Sequence, residues 1–221
     1  MKLTLTLDNG PQPGVTDQVL DILGIAGVQA AFFLVGNQLE HPAAPGLVGR
    51  MLKEGHTVGN HSLTHSIPLG RLQDPAQAVG EISQTQARLE ALGVTTKYFR
   101  PFGGGGHINP DLLHPACIDH LAREGYTCVL WNCVPRDWEA PSEWAGRALA
   151  DLTARPWTVL VIHDKPNGAM DHLCEFILRA RALGAEFTAE FPAECTPILQ
   201  GRMVGDLASI ARLNGHAPKP A

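Results

Sequence analysis

Residues 3–11 read Leu3-Thr4-Leu5-Thr6-Leu7-Asp8-Asn9-Gly10-Pro11. The first five are a short β-rich run that stops on an aspartate, and Asn-Gly-Pro is turn chemistry. Beyond the turn, Val19, Leu20 and Leu23 fall on one face of a helix near residues 17–23. Strand, polar end, turn and helix form a unit that recurs along the chain. Residues 31–35 are a second apolar run, with a helix near 44–54 and a strand over 57–60. Asp74-Pro75 reads as an N-cap with proline at the first helical position, and the apolar spacing from Val79 to Leu92 runs on to a stop at Gly93. Strands follow at 98–100, 127–132, 157–162 and 186–188. Helices are expected near 118–124, from a Ser142 cap to about Thr153, and near 173–183.

Repeated βα units on short turns predict a parallel sheet, open or closed into a barrel. Nothing in the composition divides the 221 residues, so a single domain over 1–215 is expected, with 216–221 as a flexible tail. The 23 glycines and 17 prolines fit a chain with many tight turns. With 17 Lys and Arg against 22 Asp and Glu, the formal charge is −5 and no basic footprint for nucleic acid exists. No apolar stretch reaches the ~20 residues of a membrane helix. Five cysteines without a CxxC pair argue against a disulfide framework. Met1 runs almost directly into the first strand, so a cytoplasmic location is expected unless a leader was removed.

The informative feature is where ionisable groups interrupt the apolar runs. Asp8-Asn9 ends the first strand, His61 follows the third, Arg100 ends the fourth, Asp137 comes soon after the fifth, and His163-Asp164 ends the sixth. Carboxyl ends of parallel strands share one face, where catalytic groups gather. One active site is the economical reading. His61-Ser62-Leu63-Thr64-His65 places two imidazoles four residues apart, which on a helical turn puts both on one side, within reach of one metal. Two imidazoles and an oxygen leave coordination positions open, the pattern of catalytic rather than structural sites.

Five ordered segments resemble the polysaccharide deacetylases of carbohydrate esterase family four. Thr6-Leu7-Asp8-Asn9-Gly10-Pro11 is similar to T-F-D-D-G-P, and His61 to His65 matches H-S/T-x-x-H. Phe99-Arg100-Pro101-Phe102-Gly103 is similar to F-R-x-P-Y-G with one residue missing. Trp131 to Trp138 resembles W-x-x-D-x-x-D-W, and Leu160-Val161-Ile162-His163 resembles the closing L-x-x-H. The resemblance implies a deformed (β/α) barrel of about seven parallel strands, and a metal-dependent hydrolase that removes acetyl groups from an N-acetylated sugar or oligosaccharide. It implies Asp8 as base, Arg100 holding it, His163 as acid and Asp137 orienting His163. It implies Asn9, His61 and His65 as ligands of a divalent metal (zinc, or cobalt or nickel), and Phe102, Trp138 and Leu160 at the substrate.

Departures accompany the resemblance. Asn9 puts a neutral amide where the family has an aspartate, which lowers the expected metal affinity. Phe102 lacks a tyrosine hydroxyl, Val134 replaces an aspartate, and residues 103–106 are four glycines. A degenerate carbohydrate-binding protein and an allantoinase-like hydrolase of small amides stay open as alternatives. Trp131, Trp144 and Trp157 are read as packing residues, Cys128 and Cys133 as core thiols. His56, His107, His114, His120 and His172 are read as surface or locally bonded side chains.

Overall fold

The computed structural model describes residues 1–213; the tail assigned to 216–221 lies outside them. Strands β1 (Lys2–Asp8), β2 (Ala31–Leu34), β3 (Thr57–Asn60), β4 (Tyr98–Phe99), β5 (Thr127–Cys128), β6 (Trp157–His163) and β7 (Glu186–Phe187) are joined in parallel. An antiparallel hairpin, β8 (Ile198–Leu199) and β9 (Arg202–Met203), extends the sheet beyond β5. The order is β6-β1-β2-β3-β4-β5-β8-β9, with β7 also on β1. The chain after β5 returns to β6 through a single parallel bridge, Cys133 to Leu160, so the sheet curls back on its first member. Six helices cover it: α1 (Val15–Ala26), α2 (Ala44–Lys53), α3 (Pro75–Ala91), α4 (Pro115–Arg123), α5 (Trp144–Leu152) and α6 (Leu173–Ala182). None of the described helices is long and apolar enough to cross a membrane.

Period-two alternation decides what β1 and β6 show to each side. Leu3, Leu5, Leu7, Leu160 and Ile162 pack outward among α1, α2, α5 and α6. Thr4, Thr6 and Asp8, with Val159, Val161 and His163, point to the concave side. The inward threonines are buried and bonded. Thr6 Oγ1 donates to the Leu160 carbonyl at 2.7 Å, and Thr4 Oγ1 accepts from Trp157 Nε1 at 2.9 Å. A second cluster under α3 and α4 joins Phe99, Cys128, Leu130, Trp131, Val159 and Val161 to Ile82, Ile118 and Leu121.

Capping explains several boundaries. Asp74 accepts from the Ala76 N–H at 2.9 Å with Pro75 at the first helical position, as expected. α4 begins at Pro115, before the predicted 118, because His114 caps it by accepting from the Ala116 N–H at 3.1 Å. α5 begins at Trp144, and Ser142 is not its cap: Glu143 holds that position with its carboxylate on Arg147 at 2.6 Å. Trp144 sets the start, because its fully buried ring donates to the Ala169 carbonyl at 2.7 Å. The predicted strand over 127–132 is regular only to Cys128, since the chain beyond it must bend to reach β6.

Candidate active site

Asp8 and His163 end adjacent strands as register partners, placing a carboxylate and an imidazole side by side at the carboxyl edge. With His61, His65, Arg71, Phe102, Trp131, Trp138 and Val161 they line a cleft of ≈ 410 Å3. Asp8 is gripped from below. Arg100, 0% exposed, donates Nη1 to Asp8 Oδ1 at 2.9 Å and to Thr6 Oγ1 at 2.6 Å. Its remaining N–H groups reach the Val129 and Leu130 carbonyls at 3.3 and 3.2 Å, and its guanidinium lies over the Phe33 ring at 4.1 Å. Burial pushes the Asp8 carboxyl upward, and the nearby charges of Arg100, His61 and His163 outweigh it, leaving the pKa below its ordinary value. Asp8 is therefore an ionised carboxylate with Oδ2 left over.

The Asp137 carboxylate, also fully buried, holds His163 by two bonds. Oδ2 accepts from the His163 backbone N–H at 2.9 Å and Oδ1 contacts Nδ1 at 2.8 Å. A carboxylate on Nδ1 requires Nδ1–H, so Nε2 is the nitrogen that faces the cleft. The Trp138 ring stands edge-on to that imidazole at 5.0 Å.

The two histidines do not meet on a helical turn. They sit on a loop in which Ser62 and His65 have φ of 68° and 51°, both in the left-handed region. Three groups hold it there. Glu81 of α3 accepts from the Leu63 and Thr64 N–H groups at 3.0 and 2.9 Å, Asn60 Oδ1 accepts from Ser62 N–H at 3.0 Å, and Ser62 Oγ accepts from His65 N–H at 3.2 Å. The rings then lie 4.9 Å apart, and Phe102 stacks on His65 at 4.0 Å. His61 Nδ1 donates to the Arg100 carbonyl at 2.8 Å, which leaves the Nε2 lone pair free, 3.5 Å from Asp8 Oδ2. Burial lowers the pKa of both imidazoles; for His65, burial first and the neighbouring His61 second bring it down to about 3.

Asn9 supplies the test of whether a metal fits. It has φ of 79°, lines the cleft beside His61 and His65, and its Oδ1 is buried without a hydrogen-bond partner. A buried amide oxygen without a donor is costly unless something positive meets it. Among the described residues no three His, Cys, Asp or Glu side chains form a metal cage; the set here is two neutral imidazoles and a carboxamide oxygen. Those donor types suit a divalent cation.

Leu160 requires correction. It is 0% exposed and packs outward with Leu5 and Ile162. Three residues from His163 in a regular strand is the opposite face, so Val161, two residues away, lines the cleft instead. Trp131, read as packing, also walls the cleft, and its Nε1 donates to the Gly106 carbonyl at 2.7 Å. The glycine run is sterically required at two places: a Cβ on Gly103 would meet Leu112 at 2.5 Å, and one on Gly106 (φ 75°) would meet Val134 at 2.7 Å. Sequence reasoning missed Glu81 and Thr6. Thr6 was findable, two residues before Asp8 on one strand face; Glu81 carried no signal outside the fold. Cys128 and Cys133 are buried thiols, and burial pushes Cys128 up to about 12. His114 accepts locally from the Ala116 N–H, whereas His56 is buried and accepts from the Ala30 N–H, 26 residues away, so it is neither a surface nor a locally bonded side chain.

Comparison with known proteins bears on the family and the fold. The sequence profile described as polysaccharide deacetylase matches residues 1–117. A chitooligosaccharide deacetylase of Rhizobium leguminosarum bv. trifolii is 32% identical over 162 residues, 72% of this chain and 70% of that protein. A family 4 carbohydrate esterase from Streptomyces lividans, solved in complex with acetate, superposes with TM-score 0.72 at 27% identity, covering 88% of this chain and 95% of the other. A family 4 acetyl xylan esterase from Clostridium thermocellum, solved with a cobalt ion, has TM-score 0.69 at 28% identity, covering 85% and 87%. The chain belongs to the polysaccharide deacetylase family.

Proposed function

We propose that this chain is a metal-dependent hydrolase that removes the acetyl group from an N-acetylated sugar or oligosaccharide. The carrying observation is the register pair Asp8–His163. One strand end presents an ionised carboxylate and its neighbour an imidazole with a free Nε2, each held by a buried partner of opposite charge type. Amide hydrolysis needs a proton removed from the attacking water and another delivered to the leaving nitrogen. The relatives described above, one a chitooligosaccharide deacetylase and one bound to acetate, support an acetamide as the bond.

A divalent cation, zinc by preference, held by Asn9 Oδ1 and the His61 and His65 imidazoles would polarise the scissile carbonyl. Asp8 Oδ2 takes the proton of the attacking water, while Arg100 fixes Oδ1 and keeps the carboxylate in one rotamer. His163 Nε2 carries the proton to the departing amine, and Asp137 holds the ring in the tautomer that permits it. Val161, Trp138 and Phe102 wall off the acetyl group and exclude bulk water.

The test is acetate release from N-acetylglucosamine oligomers by protein supplied with zinc or cobalt, with tertiary structure checked by near-UV circular dichroism. Asp8→Asn and His163→Gln are each expected to lower kcat by about 10²–10⁴-fold, and chelation to abolish release reversibly. Acetate release indifferent to both substitutions, or absent with every metal supplied, overturns the reading.

A further inference from the structure

The opposite end of the sheet holds a second recess. It measures ≈ 500 Å3, lies where Gln29 leads into β2 and His56 into β3, and shares no lining residue with the cleft. Leu23 and Val28 form its buried apolar floor, and the partly buried Phe187 ring is one wall. Gln29, Glu54 and Thr188 add polar groups around them. Apolar lining with a few placed polar groups is the usual make-up of a small-molecule site.

His56 carries a hydrogen-bond donor that the fold leaves unmatched. The residue is 7% exposed, and its ring packs edge-on to Phe32 at 5.4 Å. Nδ1 accepts from the Ala30 N–H at 3.2 Å, so in the neutral imidazole the proton sits on Nε2. Burial lowers the pKa against the opposing Glu54 charge, which keeps the neutral form in place at about pH 7. Nε2–H is thus a buried donor, and no described group accepts from it. Glu54 Oε2 stands 3.7 Å away, beyond hydrogen-bond distance, while Oε1 is held by Arg50 Nε at 2.6 Å. A cation finds no lone pair on Nε2, because the Ala30 bond puts the proton there. A buried donor without an acceptor is costly. One oxygen that accepts from Nε2–H and donates to Oε2 closes the gap, and a hydroxyl does both.

We infer that this recess is a second carbohydrate site, in which one sugar hydroxyl bridges His56 Nε2 and Glu54 Oε2 and the C–H face of the ring packs on Phe187. A sugar unites the two properties the recess asks for: hydroxyls that both donate and accept, and an apolar ring face. The recess lies at the amino ends of β2 and β3 and the cleft at the carboxyl ends of β1 and β6. A glycan held in the recess is therefore bound independently of the unit presented to Asp8 and His163, and the inference does not depend on turnover there.

The probe is the N-acetylglucosamine tetramer, titrated into ¹⁵N-labelled Asp8→Asn protein so that turnover does not intrude. Heteronuclear spectra read the His56 Nε2–H signal and the Gly27, Gln29 and Thr188 amides. These signals are expected to shift saturably, with a midpoint on the order of 1 mM. Gly24→Phe fills the recess from a helical position where a Cβ meets nothing within 4 Å. In the same background it should weaken the titration by about tenfold or more, because its ring takes the ligand's volume, and leave the urea midpoint in place. Glu54→Ala removes the acceptor for the hydroxyl at an exposed position and should weaken the titration about threefold to tenfold. Should either variant lower the urea midpoint, the other decides. Silence of all four signals up to about 20 mM tetramer overturns the inference. A shift that either variant leaves intact also overturns it, as does displacement by glycerol at the same concentration, since a water or any small polyol then suffices. If the recess titrates while wild type releases no acetate, the deacetylase reading falls and the second site stands.

Discussion

Asp164 is 1% exposed, with Oδ2 accepting from the Thr16 hydroxyl and Oδ1 unpartnered. Burial, reinforced by the Asp8 charge against the Thr16 bond, pushes its carboxyl from 3.8 to about 7. The unfolded chain ionises this group near 3.8, whereas the folded chain keeps it protonated until about 7. Below the lower value both states hold the proton and folding pays nothing for it. Between the two, only the unfolded state ionises, so stability declines as pH rises, and the decline is complete above about 7. The gap, at ~1.4 kcal/mol per pH unit, amounts to about 4 kcal/mol. Asp164→Asn preserves the acceptor for Thr16 and cannot ionise. Its stability relative to wild type should therefore climb by about 4 kcal/mol from pH 4 to pH 8 and level off. The new amide N–H costs roughly 1–3 kcal/mol if unmatched, equally at every pH, so the slope and not the offset carries the test. Urea unfolding of both proteins at five pH values gives the difference from midpoints at common m. A difference constant to within about 1 kcal/mol across that range refutes the reasoning.

Other outcomes follow from the same geometry. Arg100→Met strips Asp8 and Thr6 of a donor inside the core and should cost about 3–5 kcal/mol in urea unfolding. Pairing it with Asp8→Asn should recover part of that loss, and no recovery would mean the charge is not the cause. Asn9→Asp restores an anionic donor and should tighten zinc about tenfold or more in a chelator competition; unchanged affinity would place the side chain away from the ion. Gly106→Ala forces a Cβ to a left-handed φ against Val134 and should destabilise by about 1–3 kcal/mol. Gly104→Ala, with open space around it, should change stability by less than about 0.5 kcal/mol. Equal effects at the two positions would show that the loop does not hold this shape.

What the linear chain determined was periodicity and order. Leu3 to Leu7, Ala31 to Leu34 and Trp157 to Ile162 announce strands by local propensity, and Asp74-Pro75 announces a helix by its own capping chemistry. Ionisable residues at successive strand ends announce one shared rim, because parallel strands must deliver their carboxyl ends together. The antiparallel hairpin at Ile198 to Met203 was not legible, since two-residue strands carry too little pattern to rise above their turns. Tertiary structure alone decided the rest. His61 and His65 converge through left-handed backbone held by Glu81, 16 residues beyond His65 and on another element, where spacing had suggested a helical turn. Val161 rather than Leu160 meets the cleft because strand alternation counts from His163 in twos. Arg100 finds its side-chain hydrogen-bond partners on two separate segments, Thr6 to Asp8 and Val129 to Leu130. Such contacts depend on how strands register side by side, which pairs residues by distance across the sheet and not by distance along the chain.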